Sequence, residues 1–147
     1  MDDEERVPIG EAHMTRRNRW SLVGFVLSVL AMLSFFAQAS IGFITYPTDP
    51  PESAVRGLAV LAVALTVGAA VVLWPVAAQP GRGRPAAIFA LVSVGVIGIG
   101  SLMIFTTPKE QGANIGAGLL LLPAYPALLI SSLGAWLSER DEEEAKK

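Results

Sequence analysis

Along this chain, apolar residues come in long unbroken runs rather than singly. Charged residues appear only at the two ends and in three short interruptions, around positions 49–56, 82–84 and 109–110. Four uncharged segments remain, over residues 20–46, 57–78, 86–105 and 115–137. Each meets or exceeds the ~20 residues an α-helix needs to cross a hydrocarbon core about 30 Å thick. Asp49-Pro50-Pro51-Glu52 and Thr107-Pro108-Lys109-Glu110 each place a capping residue ahead of a glutamate, with proline at the first helical position. The second and fourth helices therefore start before their apolar runs do. The pattern predicts an all-α membrane protein with four transmembrane helices over about residues 20–46, 50–78, 85–105 and 108–138. A polar tail over 1–19 and a charged tail over 139–147 flank them. Short connections over 46–55, 79–85 and 106–114 favour an antiparallel up-down bundle, with no internal repeat and no room for a soluble domain.

Helices in lipid gain nothing from burying apolar surface against one another, so small residues that allow close approach mark the association faces. A heptad line in the first helix reads Ser21, Gly24, Ser28, Ala31, Phe35, Gln38, Gly42, Thr45. The fourth gives Ala117, Leu120, Ala124, Ala127, Ser131, Gly134, Ser138. Weaker lines run through Ala59, Ala62, Thr66 and Ala69 in the second helix and Ala87, Ala90, Val94, Gly98 and Ser101 in the third. Leu22, Phe25, Val26, Val29 and Leu33 would face lipid. Pro123 and Pro126 cannot donate to the carbonyls of Leu119 and Leu122, which predicts a kink in helix 4. Tyr125 stands between them as a donor able to reach Thr66, Ser93 or a freed carbonyl.

Composition agrees with lipid as the solvent: 52% of the residues are hydrophobic and 16% charged, against about 25% charged in soluble proteins, and mean hydropathy is +0.52. Net charge is −2, but the placement of basic residues says more. Arg6, Arg16, Arg17 and Arg19 precede the first helix, Arg82 and Arg84 lie between the second and third, and Arg140, Lys146 and Lys147 follow the fourth. The other two loops carry only Arg56 and Lys109. Basic loops stay in the cytoplasm, which predicts both termini cytoplasmic in a multi-pass protein of a prokaryotic cell membrane. Trp20, Trp74 and Trp136 then become anchors at one interface, with Tyr46 at the other. Thr15-Arg16-Arg17-Asn18-Arg19 followed by an apolar run and Ala37-Gln38-Ala39 has the outline of an export signal. The run continues through Ile41, Phe43 and Ile44, which favours a retained helix.

Little catalytic chemistry is available. There is no cysteine, the sole histidine is His13 in the polar tail, and no Asp, Glu, Lys or Arg interrupts an apolar segment. Intramembrane ionisable groups mark proton relays and ion-coupling sites, so an ion-driven transporter is disfavoured. No nucleophile motif, phosphate loop or metal-ligand pair argues for an enzyme, a cofactor or a metal, and nothing argues for nucleic-acid binding. Gln38, Thr66, Ser93 and Tyr125 are the candidate polar interior, as interhelical bonds or as a lining. Arg16, Arg17, Arg19, Arg82 and Arg84 fix topology or meet lipid headgroups. The acidic residues of both ends read as solvated segments, with Glu142–Lys146 and Glu143–Lys147 as i,i+4 pairs. The expected partners are the bilayer and a membrane protein or further copies of the chain, bound through the small-residue faces. The function expected is a non-catalytic accessory, assembly or structural component; the alternative is a small homo-oligomeric channel or facilitator for a neutral solute.

Overall fold

The computed structural model describes residues 15–44, 52–106 and 115–146. They form four helices: α1 (Arg16–Ile44), α2 (Glu52–Ala78), α3 (Arg84–Thr106) and α4 (Ile115–Glu144). All four are long and apolar enough to cross a membrane, the architecture of a small multi-pass membrane protein. Tyr46, the Asp49 capping box before Glu52, and the Thr107 box lie outside the described residues.

Two helix ends differ from expectation, for physical reasons. α1 begins at Arg16 rather than at residue 20. Thr15 caps it, its Oγ1 accepting from the Asn18 backbone N–H at 3.3 Å, so the first turn forms from polar residues. α4 runs on through Glu144 instead of ending at residue 138. What reads as a solvated tail is one more helical stretch, whose carboxylates find partners on the neighbouring helices.

The helices pack in cyclic order, α1 against α2, α2 against α3, α3 against α4 and α4 against α1. The α1 line is buried as expected from Ser21 through Gly24, Ser28 and Ala31. Gly24 is where α2 comes closest: an added Cβ would stand 2.6 Å from Leu73 Cδ2. In α2 Ala62, Thr66 and Ala69 are buried and Ala59 half-buried.

The α4 line needs correction. Leu120 and Ala127 are exposed, and the buried positions are Ala117, Leu121, Ala124, Tyr125, Leu128, Ser132, Ala135 and Glu139. Their mean step is nearer 3.6 than the heptad's 3.5, so the buried line drifts off the expected one. α4 also lies between two neighbours, and its large side chains fill the centre that the small residues of α1 and α2 leave open. In α3, likewise, Gly98 is exposed while Ser93, Ile97 and Gly100 are buried. Of the expected lipid face of α1, Val26 and Leu33 are exposed; Leu22, Phe25 and Val29 are half-buried.

The core gathers Ala31, Ala62, Leu73, Ala90, Ile97, Leu121, Ala124, Tyr125 and Leu128. A smaller cluster of Val76, Ala77, Ala87 and Ala135 continues it toward the α2–α3 turn.

Candidate functional site

The polar chemistry of the described chain converges at one end of the bundle. Here the start of α1, the α2–α3 turn and the end of α4 meet. Arg17 Nε lies 2.9 Å from Glu139 Oε2 without the alignment of a hydrogen bond, so this is an ion pair held by charge. Its side chains are 21% and 5% exposed respectively. The rest of the guanidinium donates to backbone: Nη1 to the Pro80 carbonyl at 2.6 Å, and Nη2 to those of Val76 at 3.3 Å and Gln79 at 3.4 Å. Val76 lies in the last turn of α2 and Gln79 and Pro80 directly follow it, at a helix C-terminus whose carbonyls lack intrahelical partners and where a cation is favoured. Arg17 is thus a side-chain cap on α2.

The α4 carboxylates do the converse for the helices that begin here. Glu139 Oε1 accepts from the Gly83 N–H at 3.0 Å and Glu142 Oε2 from the Arg82 N–H at 3.1 Å, both at the N-terminal approach to α3. Glu143 accepts from the Thr15 N–H at 3.1 Å and from Asn18 Nδ2 at 2.8 Å, at the start of α1. Anionic groups are stabilised at helix N-termini by the aligned peptide dipoles. Lys146 Nζ also bonds Glu142 at 2.8 Å. That bond first, and the Arg82 N–H second, hold the Glu142 carboxyl below its ordinary pKa. Residues 139, 142 and 143 share one helix face at i, i+3 and i+4 spacing, so one turn of α4 reaches both neighbours.

Glycine makes the turn compatible with this latch. A Cβ at Gly81 would meet the Arg17 guanidinium, and one at Gly83 would stand 2.6 Å from Glu139 Oε1 and 2.8 Å from the Ala135 carbonyl oxygen.

Deeper in the bundle the polar groups are local. Ser21, Ser28, Thr66, Ser93 and Ser132 each donate to a carbonyl three or four residues earlier in their own helix. These five hydroxyls therefore find their acceptors within their own helices. Tyr125 is held by its ring. It is 2% exposed, stacks on Phe35 with ring centroids 4.5 Å apart, and lies close to Thr66. A cavity of about 30 Å³ beside it is lined by Gln38, Ser101, Phe105 and Leu121 among others.

The structure thus places Gln38 and Tyr125 on one small cavity, Thr66 against Tyr125, and Ser93 on the carbonyl of Phe89. Pro123 and Pro126 lie within the continuous α4, and Pro75 is a further proline inside α2. Arg17 enters the latch, while Arg16, Arg19, Arg82 and Arg84 are exposed. Trp20 and Trp74 are exposed, but Trp136 is half-buried and stacks on Phe25 at 5.8 Å. Sequence reasoning missed Asn18, Gly83, Glu139, Glu142 and Glu143 as a connected group. The signal was present: Arg17 and Asn18 stand four and three residues before Ser21 on the buried line, and the glutamates share one face of an extended α4.

Among the described residues, no group of three or more His, Asp or Glu is arranged to hold a metal ion. No protein-family model matches the chain, and no curated protein or solved structure does either. Fold and geometry alone define the class, a small four-helix multi-pass membrane protein closed at one end by a charged latch.

Proposed function

We propose that the chain is a non-catalytic component of a membrane assembly. It is a rigid four-helix unit that presents its outer helix faces to a membrane-protein partner or to further copies of itself. In this reading the helices run antiparallel, up-down-up-down, and α4 bends at Pro123 and Pro126. Both termini and the latch face the cytoplasm of a prokaryotic cell.

The observation that supports an accessory role over a channel is the filled interior. The space beside Gln38 and Tyr125 is about 30 Å³, enough for a water or two, whereas ligand pockets run from about 300 Å³ upward. A lumen between copies of the chain would not be lined by Tyr125, which lies inside a single bundle. The outer faces, by contrast, are broad and apolar, including Val60, Val67, Val71, Phe89, Val92, Ile99, Leu102, Leu119, Leu122 and Ile130.

Gentle detergent extraction followed by native electrophoresis and mass spectrometry tests the role. Stoichiometric recovery of an unrelated membrane protein, or a homo-oligomer without solute flux in liposomes, is expected. A homo-oligomer that passes a neutral solute would overturn the reading. The absence of cysteine makes orientation directly measurable. An impermeant maleimide should label Ser53→Cys on intact cells and Arg82→Cys only after permeabilisation, and the reverse pattern refutes the proposed topology.

A further inference from the structure

The latch does not use all the basic residues at its end of the bundle. Between α1 and α2 lies a cavity of about 320 Å³ lined by Arg16, Arg17, Trp20, Pro75, Val76 and Gln79. A second depression of about 240 Å³ shares Arg16 and Trp20 with it and is completed by Arg19 and Val23. We propose that this paired groove binds the phosphate headgroup of an anionic phospholipid, with Arg16 and Arg19 as the phosphate ligands beside Trp20.

The charge balance carries the argument. Arg17 is occupied by Glu139 and by the carbonyls of Val76, Gln79 and Pro80, while Glu142 bonds Arg82 and Lys146 and Glu143 bonds Thr15 and Asn18. Among the described residues, no carboxylate pairs with Arg16 or Arg19. Two guanidiniums with no carboxylate partner among the described residues therefore stand at a concave site where helical spacing sets Arg16 one turn before Trp20. A planar fork of N–H donors matches phosphate oxygens bidentately. Basic pockets between transmembrane helices recognise anionic headgroups in this way.

The remaining wall distinguishes a lipid from free phosphate. Trp20, Val23 and Pro75 are apolar and reach the outer surface, and the Trp20 ring, 37% exposed, suits the headgroup level. Glycerol and the upper acyl chain would lie along this wall, which inorganic phosphate leaves uncovered. The inference rests on the membrane reading of the four helices and not on any protein partner.

The test uses the full chain with Trp74→Phe and Trp136→Phe, so that Trp20 alone emits, reconstituted in phosphatidylcholine vesicles. A small fraction of acyl-brominated phosphatidylglycerol should quench Trp20 more strongly than the same fraction of acyl-brominated phosphatidylcholine. Unlabelled phosphatidylglycerol should reverse the quenching, and inorganic phosphate should not. Arg16→Gln and Arg19→Gln should each weaken the apparent affinity about fivefold, the fold-change expected for one basic side chain at an anionic surface; Arg84→Gln, on α3 at the same end, should leave it unchanged. Equal quenching by the two brominated lipids, reversal by inorganic phosphate, or an equal loss in Arg84→Gln would each overturn the proposal. Insensitivity of Trp20 to both brominated lipids would instead refute the membrane reading beneath it.

Discussion

Replacing the two partners of the latch, singly and together, is the sharpest perturbation the structure offers. Glu139→Leu leaves the Arg17 guanidinium without its counter-charge and the Gly83 N–H without its acceptor. Breaking one side of a buried pair costs about 3–5 kcal/mol. Because Arg17 is 21% exposed and keeps its bonds to the carbonyls of Val76, Gln79 and Pro80, the lower end applies, about 3 kcal/mol. Arg17→Met strands a carboxylate that is only 5% exposed with one backbone donor, and also uncaps α2. Its cost is again at least about 3 kcal/mol. The double variant places two apolar side chains of similar length in the same space and leaves no buried charge. Its remaining cost is the uncapped backbone of α2 and the Gly83 N–H, about 3 kcal/mol rather than the sum of the singles. The coupling is therefore about 3 kcal/mol, the upper range for residues in direct contact. Equilibrium unfolding in mixed micelles of mild detergent and dodecyl sulfate, followed by far-ultraviolet circular dichroism, measures it. Single-variant costs that add to within about 0.5 kcal/mol, the behaviour of independent sites, would refute the reasoning, since the pair would then be a solvated contact like the one Arg140 Nε and Glu144 Oε1 make at 2.9 Å on the exposed surface of α4.

Three further outcomes follow from the same geometry. Gly83→Ala should destabilise by about 2 kcal/mol because the Ala135 carbonyl cannot give way, whereas Gly95→Ala, with nothing within 4 Å, should be neutral or up to ~1 kcal/mol stabilising; the micelle unfolding assay compares them. Tyr125→Phe should cost no more than about 1 kcal/mol, the usual worth of a hydrogen bond in a membrane bundle, while Tyr125→Ala should cost about 3–5 kcal/mol by emptying the space against Phe35; equal costs would mean that the hydroxyl rather than the ring holds the core. Glu142 is held below its ordinary pKa by Lys146 and the Arg82 N–H. Its contribution is therefore fully present above the unfolded value of about 4.3 and is lost as pH falls through the lower folded value. Amide exchange at Arg82, compared between the unaltered chain and Glu142→Gln, should show extra protection that disappears on acidification; protection independent of pH or of Glu142 would contradict this.

What the sequence by itself determined is the number of helices, their rough limits and their apolar surface, because a long uncharged run admits little else. It also determined the packed line of α1, where Ser21, Gly24, Ser28 and Ala31 are the small residues that permit close approach. The α4 line was not legible: Leu120 and Leu121 are chemically alike, and only the actual helical phase between two neighbours decides that Leu121 turns inward and Leu120 outward. Hydroxyls such as Thr66 and Ser93 suggested bonds between helices, yet each has a carbonyl of its own helix within reach, and the nearer acceptor prevailed.

The latch shows the division most clearly. Arg16, Arg17 and Arg19 are equivalent by composition, and the glutamates of the C-terminal run read as a solvated tail. Tertiary structure brings the ends of α1 and α4 to the α2–α3 turn, where unsatisfied peptide groups attract charge of the opposite sign. That proximity, across about 120 residues of chain, makes Arg17 and Glu139 a buried pair and leaves Arg16 and Arg19 facing outward beside Trp20.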